Sequence, residues 1–197
     1  MDSFLALNTY PIKQFIINED SGNIAMREAI RAKYGHVFTR IIFNGKREGL
    51  SRSFDNLIEE VQTEYVFTSE DDWNYTGNQN FIADSIAILE ARKDIHQVWI
   101  RDATDHQHPL GIQTRIGGVL CRPVRAGYQT YWNGFSTNPG LRRMSDLKRM
   151  FPNGLREFGD EIECAKHTAK FNYKAVSLIH SACKHIGWGR HTQGFKI

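Results

Sequence analysis

From residue 14 to residue 100, short apolar runs alternate with amphipathic segments, and this rhythm limits the fold more than any other feature of the chain. Residues 14–18 form an apolar run closed by Glu19, Asp20, Ser21 and Gly22. Ile24, Ala25, Ala29, Ile30 and Tyr34 then recur about one turn apart, which predicts a helix over 23–34. Residues 37–43 read as a second strand, closed by Asn44 and Gly45. Leu50, Phe54, Leu57, Ile58 and Val61 fall at i, i+4, i+7, i+8 and i+11 and predict a helix with one face on a sheet. A strand over 65–68, a helix carrying Phe81, Ile82, Ser85, Ile86 and Leu89, and a strand over 97–100 complete the series. Strands separated by helices of this length make βαβ units, so an α/β fold is expected, with a mostly parallel central sheet flanked by helices.

Beyond Arg101 the rhythm changes. DATDHQHPLG, residues 102–111, is a polar loop of the kind that covers a site, with His106 and His108 spaced as an HxH pair or simply exposed to solvent. Strand-like segments at 116–124 and 128–132 precede the Gly/Asn/Pro-rich GFSTNPGLRR, residues 134–143. A helix over 160–170, a strand over 175–179 and the closing HIGWGRHT follow, with no internal repeat or linker, so residues 1–197 read as a single domain.

The charge balance of 25 basic and 22 acidic residues is too even to argue for a nucleic-acid partner, and none is expected. A net charge of +3 is compatible with phosphate ligands or association with a membrane surface. Cys121, Cys164 and Cys183 are odd in number and form no CxxC pair, so buried free thiols in a reducing, cytoplasmic setting are expected. No apolar run approaches the ~18 residues of a membrane span.

The chemistry concentrates in EYVFTSEDDW, residues 64–73. Tyr65, Val66, Phe67 and Thr68 read as a strand buried on both faces that runs straight into Glu70, Asp71 and Asp72. Adjacent carboxylates repel unless solvent or a cation neutralises them; hard oxygen ligands suit Mg²⁺ or Mn²⁺, and an acidic turn or helix cap is the structural alternative. On an extended strand alternate residues share a face, so Glu70 and Asp72 can point together while Asp71 points away. No Walker-type phosphate loop is present, which weighs against the common nucleotidyl- and phosphoryl-transfer sites.

Four segments, in order, resemble the inverting GT-A glycosyltransferases of the family-2 type, which use nucleotide-sugar donors of the UDP or GDP kind. FIINEDSGN resembles the family's second strand, and the resemblance implies Asp20 as a contact of the nucleotide. NGKREGLSRSFDNLIEEVQTEYVFTSEDDW resembles the run from a glycine-containing loop through a helix into the metal motif. It implies Asp72 and then Glu70 as ligands of Mn²⁺ or Mg²⁺, and Asp71 and Arg47 near the ribose and phosphates; Arg47 is otherwise a solvated surface charge. Asn56 stands where the family often has Asn. GFSTNPGLRR resembles a donor- and acceptor-lining loop, implying Asn138 and Arg142 on the acceptor side. Trp132, also expected on the acceptor side, and Trp73 could stack on a sugar face or pack in the core, and Arg142 and Arg143 could bind a phosphate or an anionic acceptor or cap the end of a short helix. FGDEIECAKH resembles the helix start that bears the general base, on Glu161 or else Asp160. A late His supplies a third metal ligand in some members, which points to His185, with His191 beside it in the same segment. The resemblance divides the domain into a nucleotide- and metal-binding half, 1–101, and an acceptor-binding half, 102–197, with a glycan, lipid-linked or protein acceptor. The family's first strand has no counterpart, since MDSFLALNTYP resembles the tail of the helix after it. A degenerate sugar- or partner-binding module without turnover is the alternative function, and a Mg²⁺-dependent nucleotidyl or phosphoryl transferase the next.

Overall fold

The structure, a computed structural model, describes residues 1–105, 109–125 and 132–187. A short helix α1 (Asp2–Leu7) precedes β1 (Ile16–Glu19), α2 (Ile24–Tyr34) and β2 (Arg40–Phe43), and β1 and β2 pair in parallel. The helix α3 (Leu50–Glu59) crosses to β3 (Tyr65–Thr68), followed by β4 (Trp73–Tyr75), α4 (Phe81–Ala91) and β5 (Ile95–Trp99). The second half contributes β6 (Thr114–Ile116), β7 (Val119–Pro123), β8 (Gly140–Arg143), α5 (Met144–Met150), α6 (Glu161–Thr168), β9 (Lys174–Leu178) and β10 (Cys183–His185). Six strands form the main sheet in the order β3-β8-β5-β9-β7-β6, while β4 and β10 pair antiparallel in a small sheet of their own.

The α/β architecture agrees with the sequence rhythm, and the direction of the strands corrects it in part. The main sheet is mixed: β8 runs antiparallel between β3 and β5, and within this sheet only β5 and β9 pair in parallel. The inserted strand is the end of GFSTNPGLRR, which reads as a loop. Gly140 admits it, because a Cβ there would lie 2.7 Å from the Val98 carbonyl oxygen. The expected single strand over 116–124 is instead the hairpin β6–β7, since Gly117 and Gly118 both hold positive φ and turn the chain. Of the expected strand over 128–132, only Trp132 lies among the described residues.

Strand β3 corrects a second expectation. It is half-buried along its length rather than buried on both faces, because it is the end strand of the main sheet. Among the described residues neither the outer edge of β3 nor that of β1 is paired. Phe4 of α1 links the two sides: its buried ring packs edge-on against Phe15 at 5.8 Å, stacks on Phe67 at 5.7 Å and meets Tyr75 edge-on at 5.1 Å. Aromatic pairs of this geometry add ~0.5–1.5 kcal/mol beyond the area they bury.

The core lies on both faces of the main sheet. One cluster sets Phe81, Ile88 and Leu89 of α4 against Val98 and Val176; the other sets Trp99 against Phe135, Leu147, Met150 and Cys164. All three cysteines are buried free thiols. Among the described residues no helix is long and apolar enough to cross a membrane.

Arg143 acts as a helix cap, one of the two roles open to it in the sequence. Its guanidinium donates to the carbonyls of Leu89 and Arg92 at the end of α4 and to Ile95 at 3.0 Å, and it pairs with buried Asp146. Tyr173 donates to the other Asp146 oxygen at 3.0 Å. Removing one partner of such a set strands a buried charge and several carbonyls, so Arg143→Met is expected to lose about 3–5 kcal/mol in urea unfolding. A loss under ~1 kcal/mol would mean that water replaces the guanidinium at little cost.

Candidate functional site

The carboxylates gather where β3 ends. After Thr68 the chain turns through Ser69, Glu70 and Asp71 before entering β4 at Trp73, and the Tyr75 hydroxyl holds the turn through Ser69 Oγ at 2.5 Å. Glu70 and Asp72 are half-buried and Asp71 is exposed, but the segment is a turn between β3 and β4 rather than the extended strand the sequence suggests. Burial, then the charges of Asp72 and Glu161, push the Glu70 carboxyl up to about 7. Three acids, one of them far along the chain, therefore share one electrostatic neighbourhood.

Glu161 comes into that neighbourhood as the first residue of α6, and its Oε1 accepts from the Thr137 backbone N–H at 2.8 Å. Asp160 does not join it. Its carboxylate caps α6 by accepting from the Glu163 N–H at 2.9 Å, a structural use that occupies the side chain.

Across the site, His185 on β10 sets Nε2 3.0 Å from Asp72 Oδ2, its ring 4.9 Å from that of Trp73. Asp105 steadies it by accepting the His185 N–H at 2.8 Å. Gly187 leaves room for the pair, for a Cβ there would come within 2.7 Å of Asp72 Oδ2 and 2.9 Å of His185 Nε2. Asp72 Oδ1 is buried with no hydrogen-bond partner among the described residues, so a hard acceptor stands unused beside an imidazole nitrogen. Such a donor set fits Mn²⁺ or Mg²⁺. No three His, Cys, Asp or Glu side chains among the described residues gather into a complete cage, so substrate oxygens and water would fill the other positions, as is usual for Mg²⁺.

The residues expected on the nucleotide side lie along the ends of β1 and β2. Asp20 accepts from Asn44 Nδ2 at 2.6 Å and from the N–H groups of Glu48 and Gly49 at 2.9 and 2.8 Å. Burial works to raise its pKa, but these bonds and Ser53 outweigh it and hold the carboxyl below its ordinary value. Asp20 thus builds the 44–49 loop on which exposed Arg47 rides. Asn56 lies half-buried rather than exposed, donating to Asn18 and Asn44 at 3.2 Å each and joining β1, β2 and α3.

On the acceptor side the expectations divide. Asn138 is half-buried and folds onto Ser136 Oγ, Nδ2 at 2.6 Å. Trp132 is a core aromatic, its Nε1 donating to the Phe135 carbonyl at 2.9 Å and its ring edge-on to Trp99 at 5.4 Å. Arg142 is fully buried beneath the site rather than on an acceptor surface. His106, His108 and His191 lie outside the described residues.

Arg101 went unnoticed in the sequence. It lies buried at the end of β5 with its guanidinium 5.5 Å from the rings of both Trp73 and Trp99. Burial lowers its pKa, and the charges of Asp105, Glu161 and Glu70 work the other way. The available signal was positional: Arg101 follows the apolar run 97–100 directly, at the carboxyl end of a parallel strand, where ligands bind in such sheets.

No protein-family model and no curated protein sequence matches the chain. Among solved structures it is similar to the mannosyltransferase PcManGT from Pyrobaculum calidifontis in complex with GDP-Man and Mn²⁺, at a TM-score of 0.62 and 12% identity over 96% of this chain and 52% of that one. The fold is GT-A. S. aureus TarS 1–349 gives the same TM-score and identity over 93% of this chain and 54% of that one. The chain thus spans about half the length of either structure.

Glu70 gives the GT-A domain a pH signature. Its carboxyl ionises near 4.5 when unfolded and about 7 when folded, so its contribution to stability is complete below about 4.5 and is lost as the pH rises through 7. In chelator, the melting temperature of wild type should therefore fall relative to that of Glu70→Gln across this window. Parallel curves would place Glu70 in ordinary solvent.

Proposed function

We propose that the chain is a glycosyltransferase domain that moves a sugar from a UDP- or GDP-type nucleotide sugar to an acceptor hydroxyl with inversion. Residues 1–101 serve as the nucleotide and metal half and 102–197 as the acceptor half. The observation that carries the reading is the meeting of Asp72, paired with His185, and Glu161 around Glu70 on a GT-A fold. A complex of one similar structure with GDP-Man and Mn²⁺ supports it.

In this reading Asp72 would hold Mn²⁺ or Mg²⁺, with His185 and Glu70 beside it. The ion's chemistry is to offset the charge that grows on the departing diphosphate. Glu161 takes the proton of the acceptor hydroxyl; the freed oxygen pair attacks the anomeric carbon as the bond to the diphosphate breaks on the opposite face. The Thr137 N–H holds the carboxylate in place for that step. Arg101 places a second positive charge near Glu70 and Glu161. The acceptor is a glycan, a lipid-linked sugar or a protein hydroxyl, met in the cytoplasm or at a membrane surface. The edges of β1 and β3, unpaired among the described residues, favour one second reading, a GT-A module that binds sugars or a partner without turnover.

Thermal shift with a panel of nucleoside diphosphates tests binding. With Mn²⁺, a ligand at a hundred times its Kd should add about 2.7 kcal/mol of stability, and Asp72→Asn should remove the metal-dependent part. Equal shifts in variant and wild type would move the metal elsewhere.

Turnover is tested by release of free nucleoside diphosphate, or of glycosylated acceptor, from a donor panel. Glu161→Gln should lower it by about 10² to 10⁴ with nucleotide binding kept. Binding without turnover in wild type would select the module reading, and a product that retains the donor's anomeric configuration would overturn the mechanism.

A further inference from the structure

Arg142, on β8, is a charged side chain with no exposure, set between the rings of Phe54 and Phe135 at 5.9 and 6.0 Å. Its Nη1 donates to Thr68 Oγ1, on the last residue of β3, and its Nη2 donates to the Ser136 carbonyl. Gln97 Nε2 donates to that same carbonyl at 2.9 Å, and Gln97 Oε1 accepts the Ser136 N–H at 3.2 Å. The Ser136 carbonyl and the Thr137 N–H belong to one planar peptide unit and point in opposite directions across it. Two donors on the carbonyl therefore fix the plane and, by polarising the amide, strengthen its N–H as a donor. That N–H is the group bound to Glu161 Oε1 at 2.8 Å.

The arrangement is costly as a structural device. Among the described residues no carboxylate lies within ion-pair distance of Arg142, and its Nε has no hydrogen-bond partner. Burial lowers the guanidinium pKa, while Glu161 and Glu70 raise it from a distance; arginine starts so high that the charge survives. Well-packed apolar side chains often replace such a buried charge with no loss of stability.

We propose that Arg142 is a positioning residue, which aims Glu161 through the Ser136–Thr137 peptide and, through Thr68, ties that peptide to the strand that leads to Glu70 and Asp72. The role rests on Glu161 being the general base.

Amide spectra of ¹⁵N-labelled protein read the connection without any turnover. The Thr137 resonance should move in Glu161→Gln, and again in Arg142→Lys, which keeps the charge but cannot serve Thr68 and Ser136 together. In steady-state assays Arg142→Lys should lose up to about 10²-fold in kcat, with donor KM and the nucleotide–Mn²⁺ thermal shift unchanged. Gln97→Met removes the other donor on the carbonyl and should act in the same direction by less, which preserves the test if Arg142→Lys fails to fold. A Thr137 resonance that stays put in the folded variants, or a wild-type kcat in them, would overturn the proposal. A moving resonance in a protein that turns over no donor would instead uphold the connection and overturn Glu161 as a base.

Discussion

Everything at the centre of this molecule is arranged around the difficulty of putting like charges close together. Glu70, Asp72 and Glu161 share a half-buried neighbourhood, and burial and repulsion together keep Glu70 from ionising in its normal range. Arg101 and Arg142 set positive charge beneath them, each deep enough that its own pKa is lowered. Neither cation touches the acids in a direct ion pair among the described residues. The negative side keeps an unmet demand for positive charge, which a divalent ion with a phosphorylated ligand is suited to meet.

The framework holds the acids at fixed places. Strand β8 is the key element, since it separates β3 from β5 and presents Arg142 and Arg143 to opposite faces of the sheet. Arg143 serves the end of α4 and Arg142 serves the site, so adjacent residues of like chemistry do unlike work. Sequence offers no way to tell them apart. What separates them is the two-residue period of a strand, and this segment reads as a loop.

Much of the first half was legible because its signals are local. The recurrence of Ile24, Ala25, Ala29, Ile30 and Tyr34 matches α2, and the spacing of Leu50, Phe54, Leu57 and Ile58 matches α3. The acidic triplet was legible for a related reason, since charges adjacent in sequence remain adjacent in space. Other parts depend on distant partners. β4 is three residues long and is defined by pairing with β10, more than a hundred positions away. The insertion of β8 depends on two neighbours brought in from elsewhere. Arg101 and the Ser136–Thr137 peptide escaped notice because one is an ordinary strand-end residue and the other acts through its backbone, which no side-chain pattern reports. Asp20, expected to contact the nucleotide, spends its carboxylate on the loop beside it.

The aromatic link that Phe4 makes between the two sides of the fold has a consequence for motion. Strands β1 and β2 with α2 make a layer in which no residue of the helix is buried and most of the strand positions are only half so. The layer is fastened to the rest through Phe4, the Asn56 network and the contact of α3 with β1. Local opening costs least where few apolar contacts must be broken, so this layer is expected to open before the main sheet does. In the proposed reading, a site whose nucleotide side lies on the looser layer and whose acids lie on the firmer one would be completed by its ligand. Occupancy and rigidity then become two readings of the same equilibrium.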